Sequence, residues 1–182
     1  MDCMIDMETL SVFPDSVILT VAAVKFNPHN TTGITDKIYL KVDIDEQIAL
    51  GRDVDNGTLE WWGRQSPEVY NEALSESGRQ SVTDCLKQLT KFLVGVNNIW
   101  CQGPVFDIVI LENIFRQYSL HCPWQYWQIL DSRTLFKSLN FDPRDELRNE
   151  SNLSHHNALD DAVIQSMAVQ KCFKLLKGLE TD

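Results

Sequence analysis

The sequence predicts an α/β fold with a mixed sheet, and three features of its patterning carry that prediction. Residues 1–10, 17–26 and 35–42 are strand-like runs in succession, as in neighbouring antiparallel strands. From about residue 58 onward the apolar spacing turns helical. Two further short strand-like runs, 98–102 and 127–130, are interleaved with the helical stretches. Strands in a row, followed by strands alternating with helices, make a mixed sheet covered by helices.

Each element has its own basis. Residues 1–10 (MDCMIDMETL) are largely apolar and read as a short buried strand. Residues 17–26 are β-branched and almost continuously apolar, as in an interior strand. A turn cluster at 27–33 leads into 35–42, whose alternation predicts one solvated face. After a loop at 53–57, short helices are expected over 59–65 and 67–74, capped by Thr58 or Ser66, with Pro67 at a first helical position. Val82, Leu86, Leu89 and Leu93 give 81–94 a helical stripe, and Ile108, Leu111, Ile114 and Phe115 do the same for 106–118. A helix is expected around 132–139. Residues 141–154 are charged, contain Pro143 and lack periodicity, which predicts a mobile loop. The last helix is expected over 157–176.

At 182 residues the chain has the size of a single domain spanning 1–182. No apolar run approaches the ~20 residues needed to span a bilayer, so no membrane partner is expected. The start lacks a basic region followed by an apolar stretch, which is not the pattern of a signal peptide. Five scattered cysteines, with no CxxC pair, suggest reduced thiols in a cytoplasm. The net charge of −10 argues against broad, nonspecific duplex binding, which needs cations to neutralise phosphates. It leaves room for an enzyme that grips a few nucleotides through bound metal.

Chemistry concentrates in three places. Asp6 and Glu8 are two apart on the first strand, so both carboxylates project from one face. Burying two like charges together is unfavourable unless a cation neutralises them, and carboxylate oxygens suit Mg²⁺ or Mn²⁺. Asp107 stands where a strand and a Gly103-Pro104 turn give way to an apolar helix. The third place is His155-His156-Asn157-Ala158-Leu159-Asp160-Asp161-Ala162, where the last helix begins. An acid at a helix start is also an ordinary dipole partner.

Asp-x-Glu on the first strand, Asp at a strand-to-helix junction and His-x4-Asp opening the last helix follow one another in order. This resembles the DEDDh, or DnaQ-like, family of 3′–5′ exonucleases. Within it the chain is similar to phage and prophage enzymes related to an actinobacterial 3′–5′ exoribonuclease. That likeness rests on Asp6-Met7-Glu8-Thr9-Leu10, Thr58-Leu59-Glu60-Trp61-Trp62, Val105-Phe106-Asp107-Ile108, Cys122-Pro123-Trp124-Gln125-Tyr126-Trp127 and His156 to Ala162. The spacing of the family motif selects His156 and Asp161 from the His and Asp doublets.

The resemblance implies an RNase H-like fold, with a mixed five-stranded sheet in the order 3-2-1-4-5. It implies two divalent cations, Mg²⁺ or Mn²⁺, held by Asp6, Glu8, Asp107 and Asp161, with His156 as general base. It also implies hydrolysis from the 3′ end of single-stranded or 3′-overhang RNA or DNA, releasing nucleoside 5′-monophosphates. Thr9 and Leu10 would touch the terminal nucleotide, and Trp61, Trp62 or Phe106 could stack on its base. Relatives of this kind are often homodimers, and the expected setting is the cytoplasm of a bacterium or phage-infected host. Two other readings compete: an acidic phage protein that mimics nucleic acid, and a non-catalytic nucleic-acid-binding module.

Overall fold

A computed structural model of the chain describes residues 1–30 and 33–179. Three long strands come first: β1 (Asp2–Thr9), β2 (Ile18–Phe26) and β3 (Ile34–Val42). Both hairpin pairings, β1 with β2 and β2 with β3, are antiparallel. Thr31 and Thr32, in the turn expected at 27–33, lie outside the described residues. The later strands, β4 (Arg79–Gln80), β5 (Ile99–Cys101) and β6 (Ile129–Asp131), pair in parallel, giving one sheet in the order β4-β3-β2-β1-β5-β6.

Six strands replace the five expected. The extra one, β4, is two residues long and sits at the edge because Arg79 fastens it there. Its guanidinium donates to the carbonyls of Leu19, Val42 and Ala73 at 2.7–3.0 Å. Such a strand has no hydrophobic alternation to announce it.

Helices α1 (Ile44–Ala49), α2 (Asn56–Trp62), α3 (Pro67–Leu74) and α4 (Val82–Phe92) follow the three strands. The others are α5 (Asp107–Gln117), α6 (Ser132–Leu139), α7 (Arg144–Glu150) and α8 (Ala158–Leu179). Helix α2 starts earlier than expected because Asp55, not Thr58, is its cap and accepts from Thr58 N–H at 2.7 Å. Ser66 caps α3. Helix α7 overturns the expectation of a loop at 141–154. Its charged face is real, but Leu147 anchors it in the core, and one buried apolar side chain leaves no periodicity to read.

The pleat of β1 divides the core. Cys3, Ile5 and Met7 face α4 and α5, packing with Leu86, Leu89, Leu111 and Phe115. Met4, on the other face, packs with Trp100 and with Ala162, Ala168 and Cys172 of α8. Asp6 and Glu8 share that second face. All five cysteines are free. Among the described residues no helix is long and apolar enough to cross a membrane.

Candidate active site

Local strand geometry places the first two carboxylates. Pairing of β1 with β5 involves Cys3 with Ile99 and Met4 with Trp100, while pairing with β2 runs on to Glu8 and Thr9. Strand β1 therefore extends past its parallel neighbour, carrying Asp6 and Glu8 to the carboxyl end of the parallel strands. Open α/β sheets bind ligands in the crevice at such ends. The β1–β2 register slips between Glu8 and Thr9, an irregularity that re-aims side chains at the strand's end.

The remaining acids come from two helix starts. Asp107 is the first residue of α5 and only 4% exposed. Asp161 is in the first turn of α8, which lies on the Met4 face of the sheet. Asn157 Oδ1 accepts from the N–H groups of Leu159 and Asp160 at the start of α8. Just before it, His156 adopts a left-handed backbone with φ 59°, uncommon for a residue with a Cβ. Its N–H donates to Asp161 Oδ2 at 2.9 Å, which folds the turn back over the helix start.

These residues converge. Ligand atoms of Glu8, His156 and Asp161 lie within 4.8 Å of one another. Asp6 is half-buried beside them, its Oδ1 accepting from Gln165 Nε2 at 2.8 Å. All five residues line one cleft of about 340 Å³. From the doublets, Asp161 joins the cluster while Asp160 instead accepts the N–H of Ser154. His155 also lines the cleft.

The electrostatics express the crowding. Burial, then the charges of Asp107, Glu8 and Asp161, push the Asp6 carboxyl well above the usual range. Glu8 is pushed up to about 8 by burial and by Asp161 and Asp107. Asp107 rises to about 7 through burial, restrained by backbone N–H at its helix start and by Arg133. Burial holds His156 below its ordinary value, opposed by Asp161 and assisted by His155 and Arg148. Four carboxylates and an imidazole gathered in one cleft can bind a hard divalent cation, because oxygen-rich donors suit such ions and the raised acids gain from a positive charge.

A second groove of about 420 Å³ adjoins the first and shares Met7, Glu8 and Phe106 with it. Trp61 is 37% exposed there, with its ring edge-on to His156 at 4.8 Å between centroids. Trp62 is 1% exposed; it is packed in the core and donates Nε1–H to the Thr9 carbonyl at 2.9 Å. Thr9 lines the groove but turns its hydroxyl to the Ser11 carbonyl. Leu10 is buried with Val17, Leu19 and Trp62, which places its side chain in the core. The partly buried Phe106 forms the ridge between the two hollows.

Three cleft residues carry no sequence signature. Gln165 is four residues after Asp161, on the same side of α8, and that spacing is the signal that could have found it. Arg133 donates to the Gln102 carbonyl at 2.8 Å and packs so closely over Gly103 (φ 114°) that a Cβ there would meet it at 3.3 Å. Arg148 bonds Asp161.

Comparison with known proteins gives the family and the fold. The family model described as the 3'-5' exoribonuclease Rv2179c-like domain matches residues 1–173. An exodeoxyribonuclease of Enterobacteria phage T4 is 25% identical over 164 residues, covering 76% of this chain and 71% of that protein. The structure of exonuclease X in complex with 5′ overhanging duplex DNA superposes with a TM-score of 0.59 at 15% identity, covering 96% of this chain and 92% of the other. The nuclease domain of 3'hExo, a DEDDh family member bound to rAMP, gives 0.55 at 15% identity, with 97% and 92% covered. The fold is thus RNase H-like, and the chain belongs to the 3'-5' exoribonuclease Rv2179c-like domain family, a family of hydrolytic nucleases.

Proposed function

We propose that residues 1–182 form one exonuclease domain that hydrolyses phosphodiester bonds from the 3′ end of single-stranded or 3′-overhang nucleic acid and releases nucleoside 5′-monophosphates. Asp6, Glu8, Asp107 and Asp161 would hold two divalent cations, Mg²⁺ or Mn²⁺. The observation that carries this reading is the meeting of Glu8, His156 and Asp161, from opposite ends of the chain, within 4.8 Å beside half-buried Asp6. The donor set fits the cations: it is mostly carboxylate oxygen, and its protonation is raised where a positive charge would be welcome. When bound, such cations supply Lewis acidity at the scissile phosphate and neutralise its charge.

The chain's own residues do the rest. His156, whose protonation burial disfavours, offers an imidazole nitrogen that can take a proton from the attacking water. Asp161 fixes the turn that aims it, through the bond from the His156 N–H. Gln165 holds Asp6 by one oxygen. Trp61 and Phe106 border the groove next to Glu8, where a terminal base can stack without regard to its identity. Trp62 supports that wall from the core.

RNA is the first substrate to try, because the family match over residues 1–173 is to an exoribonuclease domain; DNA follows, because the phage relative is an exodeoxyribonuclease. The test is a digestion panel of end-labelled single-stranded RNA, single-stranded DNA and 3′-overhang duplexes with Mn²⁺ or Mg²⁺. Stepwise shortening from the 3′ end by the wild type, abolished in Asp6→Ala, is the expected result. Internal cleavage, or equal activity in Asp6→Ala, would overturn the reading.

A further inference from the structure

Arg148 joins two parts of the site that the chain separates. It lies on α7, its side chain is 11% exposed, and Leu147 beside it anchors the helix in the core. One amino group donates to the Ser154 carbonyl at 2.9 Å and the other to Asp161 Oδ1. Ser154 leads directly into His155-His156, and Asp161 is five residues beyond His156. The same turn is closed by His156 N–H to Asp161 Oδ2 and by Ser154 N–H to Asp160 Oδ2, both at 2.9 Å. Arg148 thus spans the entry and the exit of the turn that presents the imidazole.

We propose that Arg148 is a positioning residue for the hydrolysis, fixing the Ser154–His156 turn against Asp161 so that the imidazole and the carboxylate keep one relative placement. The inference rests on the exonuclease reading above. The turn needs such a staple because His156 is held in a left-handed conformation that an unrestrained chain would leave. Both amino groups of the guanidinium are committed to the protein, and Nε is buried without a partner among the described residues. That geometry suits holding the protein together. Arginine rather than lysine is required, since a planar fork can serve two separated acceptors at once.

Two variants test this, Arg148→Gln and Arg148→Lys, with the full chain and a labelled single-stranded substrate at saturating Mn²⁺. Outer residues that orient metal-bound side chains typically matter by 10–100-fold, so kcat should fall by about that factor in Arg148→Gln with KM within about twofold. Arg148→Lys should recover part of the loss by keeping one bond. Hydrogen exchange on the substrate-free protein gives a readout independent of activity: the amides of Ser154 and His156 should exchange faster in Arg148→Gln and at an intermediate rate in Arg148→Lys. Unchanged kcat with unchanged exchange overturns the proposal. A loss carried by KM, with a salt slope shallower by about 0.7 as for one lost single-strand phosphate contact, also overturns it. If Arg148→Gln fails to fold, Arg148→Lys decides by the same two measurements. An inactive wild type would sink the exonuclease reading, while the exchange rates would still report on the staple.

Discussion

Glu8→Gln should make the metal-free protein more stable while removing a carboxylate that hydrolysis needs. Burial and the charges of Asp161 and Asp107 raise the Glu8 carboxyl from 4.5 to about 8. The folded state therefore binds that proton more tightly than the unfolded chain does. Stability falls as pH rises from about 4.5 to about 8, and is level above that. At about 1.36 kcal/mol per unit, the full cost above pH 8 is at most roughly 5 kcal/mol. Water reaching this half-buried side chain and small rearrangements reduce it, so the isosteric amide should gain about 2 kcal/mol, or ~4–8 °C in Tm for this length. Thermal unfolding of both proteins in EDTA at about pH 5, 6.5 and 8 measures the gain. It should be under about 1 kcal/mol at pH 5 and grow with pH. A variant no more stable than wild type at pH 8, or one with its greatest advantage at pH 5, would refute the idea that Glu8 is held at an electrostatic cost.

The same raised acids predict how cations bind. With Asp107 near about 7 and Glu8 near about 8, loading Mn²⁺ displaces protons, so calorimetry in buffers of different ionisation enthalpy should detect proton release near pH 7 and an affinity that climbs from pH 6 to 8. A pH-independent affinity would count against ligation by these groups. Mn²⁺ at about ten times its Kd should raise Tm by ~3–6 °C in wild type, and removing it with EDTA should reverse the shift. The two tryptophans should separate cleanly. Trp61→Ala is expected to weaken substrate binding by about 1–3 kcal/mol, read as KM, with little change in Tm. Trp62→Ala empties a core position and should cost about 3–5 kcal/mol of stability by urea unfolding.

What the sequence could reveal depended on the kind of force holding each part. Strands β1 to β3 and helices α4, α5 and α8 are held by apolar faces, so their periodicity announces them. Helix α1 is held differently: buried Gln47 exchanges hydrogen bonds with both backbone groups of Ile18 at 2.7 and 2.8 Å. Strand β4 depends on one arginine and α7 on one leucine, and a single polar or apolar contact leaves no repeating trace. At the site, the ordered spacing of Asp6, Glu8, Asp107, His156 and Asp161 was legible because their chemistry is a residue-type pattern. Gln165 and Arg148 act by holding those groups and Arg133 by its charge near Asp107, and many side chains elsewhere on the chain carry the same donors. Which tryptophan faces the groove was hidden for another reason. Adjacent helical residues point about 100° apart, so the fate of Trp61 and Trp62 turns on where the helix starts, and Asp55 sets that start.

The origins of the four carboxylates explain which of them carries the heaviest cost. Asp107 and Asp161 sit in the first turns of α5 and α8, where unpaired backbone N–H groups and the helix dipole favour negative charge. Asp6 and Glu8 come from a strand, whose N–H groups are spent on the ladder and whose net dipole is small. Asp107 shows the effect of its helix start. Asp107 is more deeply buried than Glu8, yet its rise from 3.8 to about 7 is no larger than that of Glu8 from 4.5 to about 8, because its own helix N–H and Arg133 pull it back. Gln165 gives Asp6 one compensating bond, and among the described hydrogen bonds Glu8 receives none. The strand carboxylates therefore store most of the repulsion that a cation would relieve. Neutralising Glu8 should stabilise the metal-free fold by more than neutralising Asp107. If Asp107→Asn gains as much at pH 8 in EDTA, the helix start is not supplying the compensation assigned to it.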